Sequence, residues 1–144
     1  MRAVVNEAAL TSEELARLRA AFARVAYARL LGLELVEVAR GTALLALMVR
    51  PDLTRMEGIM HGGALASLMD TASAFAVLSL LAPAEATITV DLTLHFLRPV
   101  SSGRVKARAR VLRAGRSLVT VAIEATNEAD ELVATALTTY AVRR

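Results

Sequence analysis

Residues 58–82 read GIMHGGALASLMDTASAFAVLSLLA, and the fold turns on how this stretch is read. It opens with His61-Gly62-Gly63 and continues as an almost unbroken apolar run, which predicts one long helix over residues 64–82. The only ionisable residue in that run is Asp70, accompanied by Ser67, Thr71 and Ser73. At 100° per residue these four fall on one side of the helix, and the remaining faces are apolar. A helix apolar nearly all round is buried, in a core or in a membrane. The run is long enough to span a bilayer. A mid-membrane carboxylate is costly, however, and the chain beyond residue 82 alternates like amphipathic strands. The reading is therefore a helix wrapped by a sheet, with no membrane segment. A carboxylate buried unpaired on such a helix would cost several kcal/mol, so Asp70 is a candidate for chemistry.

The rest of the chain supplies that sheet. Thr11-Ser12-Glu13-Glu14 reads as a capping box. Leu15, Leu18, Phe22 and Val25 form the apolar stripe of the helix that follows, and Gly32 ends it. From residue 33 the period falls towards two. Residues 33–39 and 42–50 read as strands joined by a hairpin at Arg40-Gly41, and Pro51-Asp52 ends the second. Residues 53–60 form a loop leading to His61, and Pro83 stops the long helix. Over residues 87–97, Ile88, Val90, Leu92, Leu94 and Phe96 alternate with Thr87, Thr89, Asp91, Thr93 and His95. Strands then follow at 104–113, 117–126 and 131–142, with a tight turn at Ala114-Gly115. Short connections between the last four strands predict an antiparallel meander.

Composition narrows the function. A chain of 144 residues that is 56% hydrophobic has ample core for a single domain, with residues 1–10 as a loose N-terminal arm. It has no cysteine and only two histidines, His61 and His95, which argues against disulfides, a thiol nucleophile and a zinc site. The absence of a basic segment followed by a long apolar run over residues 1–10 predicts a cytoplasmic protein. Nucleic-acid binding is disfavoured, because aromatics are 3% and do not interleave with the basic residues. Lys106 is the only lysine, so the net charge of +3 rests on arginine. The guanidinium fork suits phosphate and carboxylate, although an Ala- and Arg-rich genome composition gives the same usage.

Helix, two strands, long helix and four strands, with Gly58-x-x-His61-Gly62-Gly63 and Asp70 nine residues after the histidine, resembles the hotdog-fold acyl-CoA thioesterases of the phenylacetate-degradation (PaaI-like) branch. Thr89-Val90-Asp91-Leu92 and Phe96-Leu97-Arg98-Pro99 strengthen the resemblance, which covers residues 30–142. It implies an α+β hotdog fold: a long central helix wrapped by a six-stranded antiparallel sheet, here with an extra N-terminal helix. It also implies an acyl-CoA substrate, no cofactor beyond the substrate's own coenzyme A, and a homodimer or homotetramer with sites at the subunit interface.

Gly62 and Gly63 stand where helix-start N–H groups lack partners and where the missing Cβ admits a substrate carbonyl. A helix N-terminus also favours developing negative charge, as on the oxyanion of thioester hydrolysis. The resemblance assigns that donor role to the Gly62 amide. Asp70 lies roughly 10 Å along its own helix from the mouth, so it reaches the same substrate only across a subunit boundary or a folded-back loop. The resemblance makes Asp70 the general base or nucleophile and implies that it faces the partner's glycine loop. The bland reading is an aspartate satisfied by Ser67 and Ser73. Thr89 falls where relatives place a hydroxyl facing the acid, and His61 orients the loop. Many relatives carry asparagine six residues before the histidine; Arg55 stands there in this chain. Arg55 is a candidate substrate contact to a carboxylate or phosphate, with Gly63 and Ser67, or it marks weakened hydrolysis and so a non-catalytic acyl-CoA-binding protein. A hotdog enoyl-CoA hydratase is a separate alternative, which the spacing from the glycines to Asp70 fits less well. Arg98, Arg113 and Arg116 are candidates for the coenzyme A phosphates, and a solvated face explains them equally.

Overall fold

The computed structural model describes residues 8–144; most of the expected N-terminal arm therefore lies outside the described residues. The elements are α1 (Ser12–Ala23), α2 (Ala26–Leu31), β1 (Glu34–Ala39), β2 (Thr42–Met48), α3 (Gly62–Leu78), β3 (Ala86–Phe96), β4 (Arg104–Ala114), β5 (Leu118–Thr126) and β6 (Leu132–Arg143). They build the wrapped-helix architecture: one six-stranded sheet in the order β1-β2-β4-β5-β6-β3, every neighbouring pair antiparallel. No helix among the described residues is long and apolar enough to cross a membrane.

α1 starts as its sequence requires. Thr11 Oγ1 accepts from Glu14 N–H (3.1 Å) and Glu14 Oε2 accepts from Thr11 N–H (2.8 Å). The Thr11 backbone bond, with help from Arg40 at 2.8 Å, holds the Glu14 carboxyl below its usual range. The expected single helix up to Gly32 is instead broken at Arg24 and Val25. A straight continuation of the 15–18–22–25 stripe would bring Arg29 onto the core face. The break instead turns Ala28 and Leu31 inward.

α3 runs through the concave face of the sheet. Leu65, Leu68, Met69, Ala72, Phe75 and Ala76 are buried against it. Alanines on the facing strands, at 43, 107, 109, 125, 134 and 136, leave room for those larger side chains. The helix ends at Leu78, four residues earlier than the apolar run suggested. Buried Ser79 stops it: its hydroxyl donates to Ala76 O (2.7 Å) and accepts from Gly41 N–H (2.7 Å), tying the helix end to the β1–β2 hairpin.

Two expectations about the sheet need correcting. Only β4, β5 and β6 form a meander; β3 lies at the far edge beside β6. The inward row of β4, Val105 to Val111, instead pairs with β2, where Leu45 faces Ala107 and Leu47 faces Val105. Residues 97–103 cross the open end between them, held by Met60 N–H to Val100 O (2.7 Å) and Val49 N–H to Gly103 O (2.9 Å). The alternation of residues 87–97 is also interrupted. Between Thr89 and Asp91 the register against β6 slips, so Thr89 faces Tyr140 while Asp91 faces Thr139. Val90 is the extra residue of a β-bulge. The most regular strand in the sequence is therefore an irregular edge strand, with Ile88, Val90 and Phe96 exposed.

Candidate active site

The loop before α3 is a tight reversal. Arg55 N–H donates to Ile59 O (2.8 Å), Thr54 pairs with Met60, and Glu57 and Gly58 take φ of 67° and 71° at the tip. The glycine at 58 is thus a requirement of the turn. At the helix start His61 is the N-cap. Its Nδ1 accepts from Gly63 N–H (2.8 Å), which requires that nitrogen to be unprotonated. Its carbonyl accepts from Ala64 N–H (3.0 Å) and Leu65 N–H (3.3 Å), and its own N–H donates to Leu53 O (2.7 Å). This leaves Gly62 as the first-turn residue whose N–H has no acceptor among the described residues. The Gly63 amide, expected to be open as well, is occupied by the imidazole.

Gly62 lines a cleft of about 340 Å³ together with Arg55, Leu65, Phe96, Arg98 and Val100. Phe96 closes over the glycine so tightly that a Cβ at position 62 would lie 3.0 Å from the ring tip. Arg98 donates to Leu132 O (3.2 Å), while the Arg55 side chain has no protein partner among the described residues. The cleft combines an open amide, an apolar wall and two cations, which suits an acyl group carried by an anion.

Asp70 lies farther along α3, half-buried. The Tyr140 hydroxyl donates to it, at 2.6 Å from Oδ1 and 2.7 Å from the main-chain carbonyl. Thr89 donates to the same Oδ1 at 3.0 Å. Oδ2 accepts nothing from the described residues, so the carboxylate is fixed through one oxygen and open at the other. Burial, and next the bond to Asp70, pushes the Tyr140 hydroxyl above the usual tyrosine range and keeps it a donor. Ser67 and Ser73 do not bond Asp70. Ser73 is buried and donates to Met69 O (2.8 Å), whereas Ser67 donates to Gly63 O (2.8 Å) and meets the Tyr27 hydroxyl at 2.9 Å. Ser73 keeps its place one turn from Asp70, buried beside Tyr140, but its hydroxyl is taken by the helix backbone.

Tyr140 is the site residue the sequence reading missed. The available signal was a buried phenol: it is one of two tyrosines, it falls on an inward position of the last strand, and its hydroxyl needs a partner there.

One chain does not bring all the candidates together. His61, Gly62, Arg55 and Arg98 share the cleft end, with Gly63 and Ser67 along the same helix. Asp70 and Thr89 lie about 12 Å farther along the axis, eight residues from Gly62. Arg113 and Arg116 flank the β4–β5 turn at the opposite end of α3, where Val111 N–H bonds Gly41 O and Gly41 N–H bonds Ser79. Both are exposed.

A sheet curled round one long helix, with an open amide at that helix's first residue, is the architecture of a hotdog-fold enzyme. The sequence matches the family described as the thioesterase superfamily over residues 57–134, more than half of the chain. It is 31% identical over 129 residues to the medium/long-chain acyl-CoA thioesterase YigI of Salmonella typhimurium, covering 79% of this chain and 83% of that one. Among solved structures, the E. coli PaaI protein from the phenylacetic acid degradation operon matches with a TM-score of 0.86 at 26% identity, over 94% of this chain and 96% of that one. A mutant of the phenylacetic acid degradation protein PaaI from Thermus thermophilus matches with a TM-score of 0.74 at 30% identity, over 80% and 96% of the two chains. The chain belongs to the thioesterase superfamily, and it is a thioester-hydrolysing enzyme of the hotdog fold.

Proposed function

We propose that the substrate is an acyl-CoA, hydrolysed to the free carboxylic acid and coenzyme A at a site shared between two subunits. The observation that carries this reading is the cleft at Gly62: an unpartnered first-turn N–H beside Phe96, flanked by Arg55 and Arg98. In the proposed reaction the thioester carbonyl lies against that N–H, which stabilises the oxyanion of the tetrahedral intermediate. Asp70 Oδ2 either takes the proton of the attacking water or attacks the carbonyl itself. The C–S bond then breaks and the coenzyme A thiolate leaves, taking up a proton; on the first route this gives the free acid directly, and on the second it gives an acyl-aspartate anhydride that water hydrolyses to the acid, regenerating Asp70.

The interface follows from the edge strand. β3 is 11 residues long, lacks proline and lysine, and exposes Ile88, Val90 and Phe96. An apolar edge of that length is a template for pairing with another strand. Antiparallel pairing of β3 with a second copy's β3 sets the two long helices side by side in opposite directions. Asp70 of one subunit then faces Gly62 of the other, closing the separation that one chain leaves. The dimer, or a tetramer built from it, is thus part of the proposed site. In it, Arg113 and Arg116 lie towards the partner's cleft end, where they serve as candidates for the phosphates.

A thiol-trapping assay on acyl-CoAs of graded chain length, with aromatic acyl groups included, tests the substrate class. Release of free coenzyme A is expected. No thiol release from any acyl-CoA, with other thioesters still hydrolysed, would overturn the assignment of coenzyme A thioesters as the substrate class.

Arg55 is read as a substrate contact. A charge-assisted contact is worth about 1.5–3 kcal/mol, and exposure of this side chain places it at the lower end. Arg55→Asn should therefore raise KM about tenfold with kcat nearly unchanged. An unchanged KM with faster turnover would instead show that asparagine holds the lytic water better.

A further inference from the structure

We propose that Asp91 is a positioning residue: its carboxylate fixes the bulge at Val90 that turns Thr89 towards Asp70. The proposal rests on the reading of Asp70 given above and adds what aims its hydrogen-bond partner.

The sequence of β3 alternates without interruption, so a regular strand would set Thr89 on the face of Asp91, Thr93 and His95. That face points away from α3: Thr93 stands opposite Leu137, which is exposed, and His95 is itself exposed. Directly opposed residues share a face, and Thr89 stands opposite Tyr140, whose hydroxyl reaches Asp70. The register slip between Thr89 and Asp91 accounts for the difference, moving Thr89 to the helix side while Thr93 and His95 stay outside.

A bulge interrupts the ladder and leaves backbone groups to be satisfied. Here one side chain from each strand takes a backbone group of the other. Thr139 N–H donates to Asp91 Oδ1 at 2.9 Å, and buried Thr138 donates its hydroxyl to Asp91 O at 2.6 Å. Asp91 is thus bonded twice to β6 at the residue where the phase changes. Within one chain, among the described residues, β6 is the only strand beside β3; the proposed pairing with a second copy's β3 lies on the opposite edge. Bulges beside active sites commonly re-aim a side chain, and the phase of this one decides whether Thr89 reaches the acid.

The test is a double-mutant cycle read together with a structure. Thr89→Ala and Asp91→Ala should each lower kcat about tenfold, the loss of one hydrogen bond to the reacting carboxylate, with KM unchanged. The double variant should be no slower than Thr89→Ala alone, because Asp91 acts through Thr89. Asp91→Asn, whose amide oxygen accepts the same bond, should retain wild-type kcat. Losses that multiply to about a hundredfold in the double variant would overturn the proposal. A crystal structure of Asp91→Ala decides the geometry whether or not the protein hydrolyses acyl-CoA. Thr89 Oγ1 should lie beyond 3.5 Å from Asp70 Oδ1, and retention of the 3.0 Å bond would overturn the proposal. Should Asp91→Ala not fold, Thr138→Val, nearly isosteric and lacking the donor to Asp91 O, replaces it in the same measurements. Failure of the substrate reading is separate: it shows as a wild-type enzyme inactive on acyl-CoA, with the Thr89 geometry still responding to Asp91.

Discussion

Asp70→Asn is expected to fold normally and to lose about 10²–10⁴ in kcat, the range for loss of a positioned general base. Asparagine keeps the oxygen that accepts from Tyr140 and Thr89, so the two bonds at 2.6 and 3.0 Å survive. What changes is the second oxygen, which becomes an amide NH₂ unable to accept a proton or attack a carbonyl. The thermal midpoint should move little, because the open oxygen makes no bond to the described residues. Steady-state kinetics beside a melting curve separate the two effects. A folded Asn variant with near wild-type turnover would remove Asp70 from the chemistry.

Gly62→Pro should lower kcat by about 10²–10³, the usual cost of one oxyanion donor. Gly62 is the first residue of α3, and proline at that position is well tolerated, since its missing N–H is one the helix does not use. The substitution therefore removes the candidate donor while sparing the helix. It also adds bulk against the Phe96 ring, 3.0 Å from the new Cβ. Gly62→Ala supplies the control, because it adds the same Cβ and keeps the N–H. Comparable kcat in the two variants would show that crowding by the side chain, and not the amide, carries the effect.

These positions differ in how far the sequence exposed them. The HGG start of α3, the acid on an apolar helix, the Thr11 cap and the six strand segments are all local patterns, and each was legible. The neighbour of β3 was not. Short connections favour adjacent strands, but here a seven-residue crossing of 97–103 leaves β4 free to pair with β2. The bulge at Val90 was hidden by an alternation that reads as perfect, because the bonds at the slip join Asp91 to residues 138 and 139 of β6, far away in the chain. Tyr140 escaped because its partner lies 70 residues away in the chain. The early end of α3 follows from Ser79 bonding Gly41, again a tertiary choice within a run that is apolar throughout. What was missed are the points where distant segments decide local geometry, and they include the residues that orient Asp70.

If Gly62 and Asp70 work together across a subunit boundary, combining the two inactive variants in one dimer restores activity. Asp70→Asn and Gly62→Pro, carrying different tags, are co-expressed and the heterodimer is isolated through both. If each site takes its amide from one subunit and its carboxylate from the other, one heterodimer site carries both lesions and the other carries neither. The heterodimer should then recover about half the wild-type activity per dimer, as two-fold symmetry requires. A heterodimer no more active than its parents would rule out the shared site and place both groups of a working site within one chain.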